Sequence, residues 1–90
     1  MTEEDRKLLT KYLEDDFEYL QKIGMDRNFD NGNDMIVLKD KLVEKKEWHI
    51  FFQLVKSYCP YYGQAEVTDW IFVPERFCQL VADYLKENKL

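Results

Sequence analysis

The acidic residues between positions 26 and 30 are the ones whose spacing comes nearest to an ion-binding pattern. Asp26, Asn28 and Asp30 supply side-chain oxygens at positions 1, 3 and 5, as a calcium loop requires. Such a loop also needs glycine at position 6 and glutamate at position 12, where this chain has Asn31 and Val37. The segment is therefore predicted to be a solvated polar loop without a metal.

The nucleophilic and basic side chains do not form a catalytic set. His49 is the only histidine, and its apolar surroundings predict a partly buried core residue. A structural zinc site needs about four nitrogen or sulfur ligands, and His49, Cys59 and Cys78 are the three that the chain offers. We expect no catalytic residue, no cofactor and no metal, and we predict that the protein is not an enzyme.

A run of carboxylates lies in the first quarter of the chain, at Glu14, Asp15, Asp16 and Glu18. Two-carboxylate hydrolysis needs acids that face each other across a cleft, whereas neighbouring acids on one helix point in different directions. The run predicts a solvated face. An acidic surface can also imitate nucleic acid and block a basic groove, so Glu14, Asp15 and Glu18 are candidate partner-binding residues.

Two tyrosines, Tyr61 and Tyr62, lie in a predicted loop between Pro60 and Gly63. Exposed loop tyrosines provide rigid contact area with a polar tip, which suits a binding surface. We take them as candidate partner-binding residues, and the alternative is that they pack back on the domain. The remaining large aromatic side chains are predicted to be core: Trp48, Phe51, Phe52, Trp70, Phe72 and Phe77.

The composition narrows the class of protein. Ninety residues predict a single domain, 1–90, and a net charge of −5 makes direct nucleic-acid binding unlikely on electrostatic grounds. Two cysteines are too few for a disulfide framework. The charged start does not resemble a signal peptide, and no apolar run reaches the ~20 residues of a membrane span. We therefore expect a cytoplasmic protein that does not enter a membrane.

The first half of the chain predicts helices separated by a polar loop. Thr2 is a good N-cap for a helix over residues 3–22, and Gly24 follows where a C-terminal cap is expected. Residues 25–33 predict a loop, after which Asn33 or Asp34 caps the next helix.

The middle of the chain allows two interpretations. Apolar residues recur at helical spacing from Asp34 to Cys59, with an interruption at 45–47 that predicts either two helices or one bent helix. Residues 48–55 are also rich in strand-forming side chains, and 67–73 predicts a short strand or an extended lead-in. We favour helix for 48–55, and the sheet remains the alternative.

The last helix has the clearest signals. Pro74 suits its first position, an apolar face follows, and Lys86 and Lys89 lie at its C-terminal end. The predicted fold is mainly α, a compact domain of three to four helices. The alternative is α+β, with 48–55 and 67–73 paired as a small antiparallel sheet.

Two stretches resemble a known group of proteins. They are Asp34–Glu44 (DMIVLKDKLVE) followed by Trp48 and Phe51, and Asp69–Leu85 (DWIFVPERFCQLVADYL). Together they are similar to small uncharacterised proteins encoded by bacteriophages and prophages. The resemblance implies a phage or mobile-element origin and a host-cytoplasm setting, and it carries over no catalytic residue.

Two functions follow as expectations. The first is a small acidic binding protein that modulates a host or phage protein, in its sharpest form an inhibitor that mimics nucleic acid against a host defence system. The second is a homo-oligomeric structural or accessory protein, because so small a chain carries 16% aromatic residues. A DNA-binding factor is disfavoured, since the last helix offers only Arg76 near its start.

Overall fold

The fold consists of short α-helices joined by tight turns. The computed structural model describes residues 1–88, and within them no strand is formed and six helices follow one another: α1 (Glu3–Tyr12), α2 (Phe17–Lys22), α3 (Gly32–Glu44), α4 (Trp48–Tyr58), α5 (Gln64–Ile71) and α6 (Pro74–Asn88). The mainly α class is confirmed, and the alternative sheet is not formed because both of its segments are helical. Lys89 lies outside the described residues.

Helix α6 supplies the largest share of the core. Pro74 begins it, as predicted, and its buried face packs against α1, α3 and α4. Each large apolar side chain that becomes fully buried contributes about 1.5–3 kcal/mol. The buried residues of α6 are Phe77, Cys78, Val81, Ala82, Tyr84 and Leu85.

Aromatic rings connect α4 to α6. Phe51 contacts Phe77 and Tyr84 edge to face, with ring centroids 5.6 and 5.7 Å apart. Trp48 stacks on Phe77 and Phe72 at 6.2 and 6.1 Å. Phe51 and Phe77 are fully buried, whereas Trp48 and Phe72 are half-buried at the edge of this cluster. The predicted aromatic core is therefore fully buried at Phe51 and Phe77 and only partly buried at its edge.

The single helix predicted over residues 3–22 is wrong, because the chain turns after Tyr12. Glu14 adopts a left-handed conformation with φ of 65°, its N–H donates to the carbonyl of Lys11, and Asp15 N–H donates to that of Thr10. This hydrogen-bond pattern is the Schellman motif that ends many helices. Asp16 then caps α2 by accepting from the N–H of Tyr19.

The same motif ends two further helices. After α3, Lys46 has φ of 59° and its N–H donates to the carbonyl of Val43. Gly24 follows α2 with φ of 74°, and its N–H donates to the carbonyl of Gln21, so the predicted glycine cap is confirmed. The interruption at 45–47 thus separates two helices. The turns at Glu14 and Lys46, together with the additional helix α5, explain why residues 1–88 form six helices instead of three to four.

The loop before α3 is anchored to the core, which corrects the prediction of a solvated polar segment. Phe29 is 1% exposed, and its N–H donates to the buried carboxylate of Asp34 at 3.0 Å. Arg27 pairs with the same carboxylate at 2.7 Å, and Asp26 pairs with Arg6. The cap of α3 is Asn31, which accepts from Asp34 N–H, and neither Asn33 nor Asp34 has that role.

Three smaller expectations are also wrong. Residues 67–71 form the second part of α5, whose Val67 and Ile71 are fully buried one helical turn apart, and only Phe72 and Val73 lie between α5 and α6. His49 lies on the exposed side of α4, so it is not a core histidine. Tyr58, counted in the apolar stripe of that segment, is 50% exposed.

No helix within residues 1–88 combines the length and the apolar character needed to cross a bilayer.

Asp5 joins the N-terminal helix to the C-terminal one. Its side chain, only 7% exposed, accepts from Lys86 at 2.6 Å and from Gln79 at 3.0 Å. Burial alone would raise the pKa of Asp5. The hydrogen bonds from Gln79 and Lys86 and the charge of Lys86 outweigh burial, so this pKa lies below the ordinary value of 3.8.

We expect Asp5→Asn to reduce the dependence of stability on pH in acid. A pKa that is lower in the folded state gives stability that is present above pH 3.8 and is lost as pH falls through the folded value. Urea unfolding between about pH 2 and pH 6 measures this slope. Asp40→Asn, at an exposed aspartate that forms no ion pair with any of residues 1–88, is the control. An unchanged slope in Asp5→Asn contradicts this assignment.

Phe29→Ala tests the anchored loop. Removing a fully buried ring should cost about 3–5 kcal/mol in the free energy of unfolding, since the cavity closes only partly. Asp30→Ala, at the exposed neighbouring position, should change that free energy by no more than about 0.5 kcal/mol. Chemical denaturation of both variants gives the comparison, and equal small effects would mean that the ring is not part of the core.

Candidate functional site

The turn between α4 and α5 projects Tyr61 into solvent. Helix α4 ends at Tyr58, and Pro60 lacks the N–H that would extend it. The N–H of Tyr62 then donates to the carbonyl of Cys59 at 3.1 Å, which closes a tight turn. Tyr61 lies at the outer corner of this turn and is 95% exposed. The predicted loop is formed, and of the two alternatives for Tyr61 the structure has the exposed one.

The turn forms one wall of a shallow aromatic groove. Tyr62 is 45% exposed, and half-buried Trp70 on α5 lines the opposite side. We call this groove the tyrosine patch, and its lining residues are Tyr58, Cys59, Pro60, Tyr61, Tyr62 and Trp70. Helical spacing in the sequence puts Tyr58 on the apolar stripe of residues 34–59. The structure leaves it exposed because it is in the last turn of α4, beyond Val55, the last fully buried residue of that helix.

Trp70 is held in place from one side by a cation. The guanidinium carbon of Arg76 lies 4.7 Å from the centre of the Trp70 ring, and its Nη1 donates to the Trp70 carbonyl at 2.6 Å. A cation above an indole face is attracted by the quadrupole of the ring. These two contacts hold the Trp70 ring in a fixed position on its side of the tyrosine patch.

The acidic candidates lie in a different part of the molecule: Glu14 and Asp15 are in the turn between α1 and α2, and Glu18 is in the first turn of α2. Glu14 pairs with Lys45 at 3.6 Å and lies 4.0 Å from Lys41, so its charge is partly neutralised. Asp15 and Glu18 are exposed. Within residues 1–88, no hydrogen bond, ion pair or ring contact joins this turn to the tyrosine patch. The structure therefore places the two predicted sets of partner-binding residues apart.

A buried polar centre was missed in the sequence. Tyr12 donates to Oε2 of Glu47 at 2.9 Å, and Tyr84 approaches the same oxygen at 3.4 Å. Burial and the neighbouring Glu47 carboxylate raise the pKa of Tyr12 far above its ordinary value, so its hydroxyl remains a donor. Glu47 looked like part of an exposed charged run, and no local pattern marks it as buried. It connects α1, α4 and α6.

The reactive side chains offer little chemistry. Burial raises the pKa of the Cys78 thiol to about 12, with a further contribution from Asp34 and Asp30, so the thiol is protonated at neutral pH. His49 is exposed in a groove between α4 and α5, and neither Cys59 nor Cys78 lines that groove. In the described part of the chain, no three His, Cys, Asp or Glu side chains are grouped to hold a metal ion.

Replacing the two loop tyrosines should leave the fold intact. Tyr61→Ser/Tyr62→Ser removes side chains that are largely in solvent, so the free energy of unfolding should change by no more than about 0.5 kcal/mol per site. Tyr12→Phe removes a buried hydroxyl that bonds a carboxylate and should cost about 1–3 kcal/mol. Urea unfolding measures both. A large loss in the double variant would show that the patch is part of the core.

Comparison with known proteins gives no relative for this arrangement. No family model, no curated protein and no solved structure matches the chain. The function is therefore inferred from the geometry and the charges of the tyrosine patch.

Proposed function

We propose that this chain is a small binding protein without catalytic activity, which modulates a protein partner by docking through the tyrosine patch. The observation that carries the proposal is the position of Tyr61, 95% exposed at the corner of a turn and beside two other exposed tyrosines. Aromatic side chains are enriched at protein interfaces because they bury much area for few rotatable bonds.

The patch is prepared for binding by its backbone. Pro60 fixes one backbone dihedral, and the hydrogen bond from Tyr62 N–H to the Cys59 carbonyl closes the turn. Arg76 holds Trp70 from the other side. A surface that is already ordered loses less conformational entropy when it binds, so more of the contact energy appears as affinity.

The resemblance to phage-encoded proteins supports a host protein of the bacterial cytoplasm as the partner. The sharper hypothesis, mimicry of nucleic acid, would place the interface at Glu14, Asp15 and Glu18. Glu14 forms an ion pair with Lys45. The acidic residues do not lie on one continuous helix, because the chain turns between α1 and α2. These features support the tyrosine patch as the primary interface, with the acidic turn as a secondary one.

Capture from a host lysate with matched variants tests the proposal. The wild-type chain should retain one partner at low and at physiological salt, and Tyr61→Ser/Tyr62→Ser should lose it. Tyr19→Ser is the control, because Tyr19 is 58% exposed on α2 and lies outside the patch. Glu14→Gln/Asp15→Asn/Glu18→Gln should retain the partner. Failure of the wild-type chain to retain any protein, or loss that is equal in the Tyr19 control, contradicts the proposal.

Self-association is the competing function, and exposed aromatic area also suits it. Light scattering of the wild-type chain over a range of concentrations should give a monomer if the patch serves another protein. A dimer that becomes monomeric in Tyr61→Ser/Tyr62→Ser would assign the patch to a second copy of this chain.

A further inference from the structure

Two carboxylates of α5 are close in sequence to Trp70, which lines the tyrosine patch. Glu66 precedes Trp70 by four residues, so the two side chains share one face of the helix. Its Oε1 lies 3.7 Å from the position that a Cβ on Gly63 would occupy, directly after Tyr62 in the chain. Asp69 is exposed at the position before Trp70. Helix α5 thus carries two carboxylates within four residues of Trp70 in the sequence.

These carboxylates are not used by the fold. Neither Glu66 nor Asp69 forms an ion pair with any residue of the described range 1–88, and α5 contains no basic residue. Six other acids pair with lysine or arginine, namely Asp5, Glu14, Asp26, Asp34, Glu44 and Asp83. Exposed acids such as Asp15, Glu18 and Asp40 form no ion pair within residues 1–88, but none of these three lines the tyrosine patch. Helix α5 therefore leaves two negative charges available beside an aromatic surface.

The aromatic surface already accepts a cation from its own chain. Arg76 stacks on Trp70 and bonds its carbonyl, yet no ion pair joins it to Glu66 or Asp69. Lys56 lines a different groove, together with Gln64 and Thr68 on another face of α5. Within the described residues, no cation lies over the rings of the three patch tyrosines.

We propose that the partner presents a basic segment to the tyrosine patch, with arginine or lysine side chains that stack on Tyr61 and Tyr62 and pair with Glu66 and Asp69. This inference rests on the proposed function and names the chemistry of the partner. Exposed tyrosine faces attract cations, and adjacent carboxylates add opposite charge in reach of the same side chain. A neutral proline-rich segment would use the rings and leave both carboxylates without a partner.

The test is a titration of the isotopically labelled full chain, followed by amide chemical shifts. The probes are three blocked peptides of equal length: Gly-Arg-Gly-Arg-Gly, Gly-Glu-Gly-Glu-Gly and Gly-Pro-Pro-Pro-Gly. Only the arginine peptide should shift amides, mainly within residues 58–70, with an affinity that falls as salt rises. Glu66→Gln/Asp69→Asn should weaken this binding by about tenfold. Asp40→Asn, at an exposed acid of α3 that has no ion pair in the described part of the chain, should not.

Several results would overturn the inference. They are equal shifts with the proline peptide, shifts spread over all exposed acids, an unchanged affinity in Glu66→Gln/Asp69→Asn, and no shift with the arginine peptide at about 10 mM.

The lysate capture separates this inference from the proposed function. If the partner is lost with Tyr61→Ser/Tyr62→Ser but retained with Glu66→Gln/Asp69→Asn, the binding function is supported and the inference of a basic segment is wrong. A partner that is lost with both variants, and retained with Asp40→Asn, supports both. Absence of any partner with the wild-type chain removes the function itself.

Discussion

Burial of one face of α6 holds the other helices in their places. Its apolar side chains meet α1, α3 and α4 at once, and the rings of Phe51, Phe77 and Tyr84 interlock where α4 crosses it. The shorter helices depend on this arrangement indirectly, since the main contacts of α2 are with α1 and those of α5 are with α4. The tyrosine patch, which joins the end of α4 to Trp70 on α5, is therefore connected to α6 mainly through α4. It lies at the edge of the aromatic cluster.

Buried carboxylates specify which faces of the helices meet. Asp5 joins α1 to α6, Glu47 receives tyrosine hydroxyls from α1 and α6, and Asp34 holds the loop that carries Phe29. Throughout residues 1–88, every buried side-chain nitrogen and oxygen atom has a hydrogen-bond partner. A buried charge that loses its partner is costly, so alternative packings of these helices would be penalised. This small domain thus combines apolar burial with a few directional contacts.

The parts that could be predicted are those with strong local signals. Pro74, the apolar spacing of α6, Thr2 and Gly24 marked their helix ends correctly. The breaks at Glu14 and Lys46 were harder to predict, because a left-handed cap is normally signalled by glycine and these positions carry side chains that tolerate it less well. Helix α5 has only Val67 and Ile71 as fully buried residues, too few to show a period.

The tyrosines and the acidic residues of the candidate site also differ in how much of their surroundings the sequence could predict. The loop position of Tyr61 followed from its place between Pro60 and Gly63, but the sequence left open whether its ring is exposed or packs back on the domain. The exposure of Tyr58 depends on where α4 passes beyond the core. The engagement of Glu14 by Lys45 depends on two elements far apart in sequence. Such tertiary relations have no local signal, so only the fold could show that the unpaired acids near the tyrosines are those of α5.

The different surroundings of the two cysteines have a practical consequence. Cys78 is fully buried and stays protonated, whereas Cys59 is half-buried in the wall of the tyrosine patch. A reagent reaches a partly exposed side chain more readily than a fully buried one, so Cys59 is the more accessible attachment point of the two. A fluorophore or spin label coupled there would stand within the groove and report directly on its occupancy.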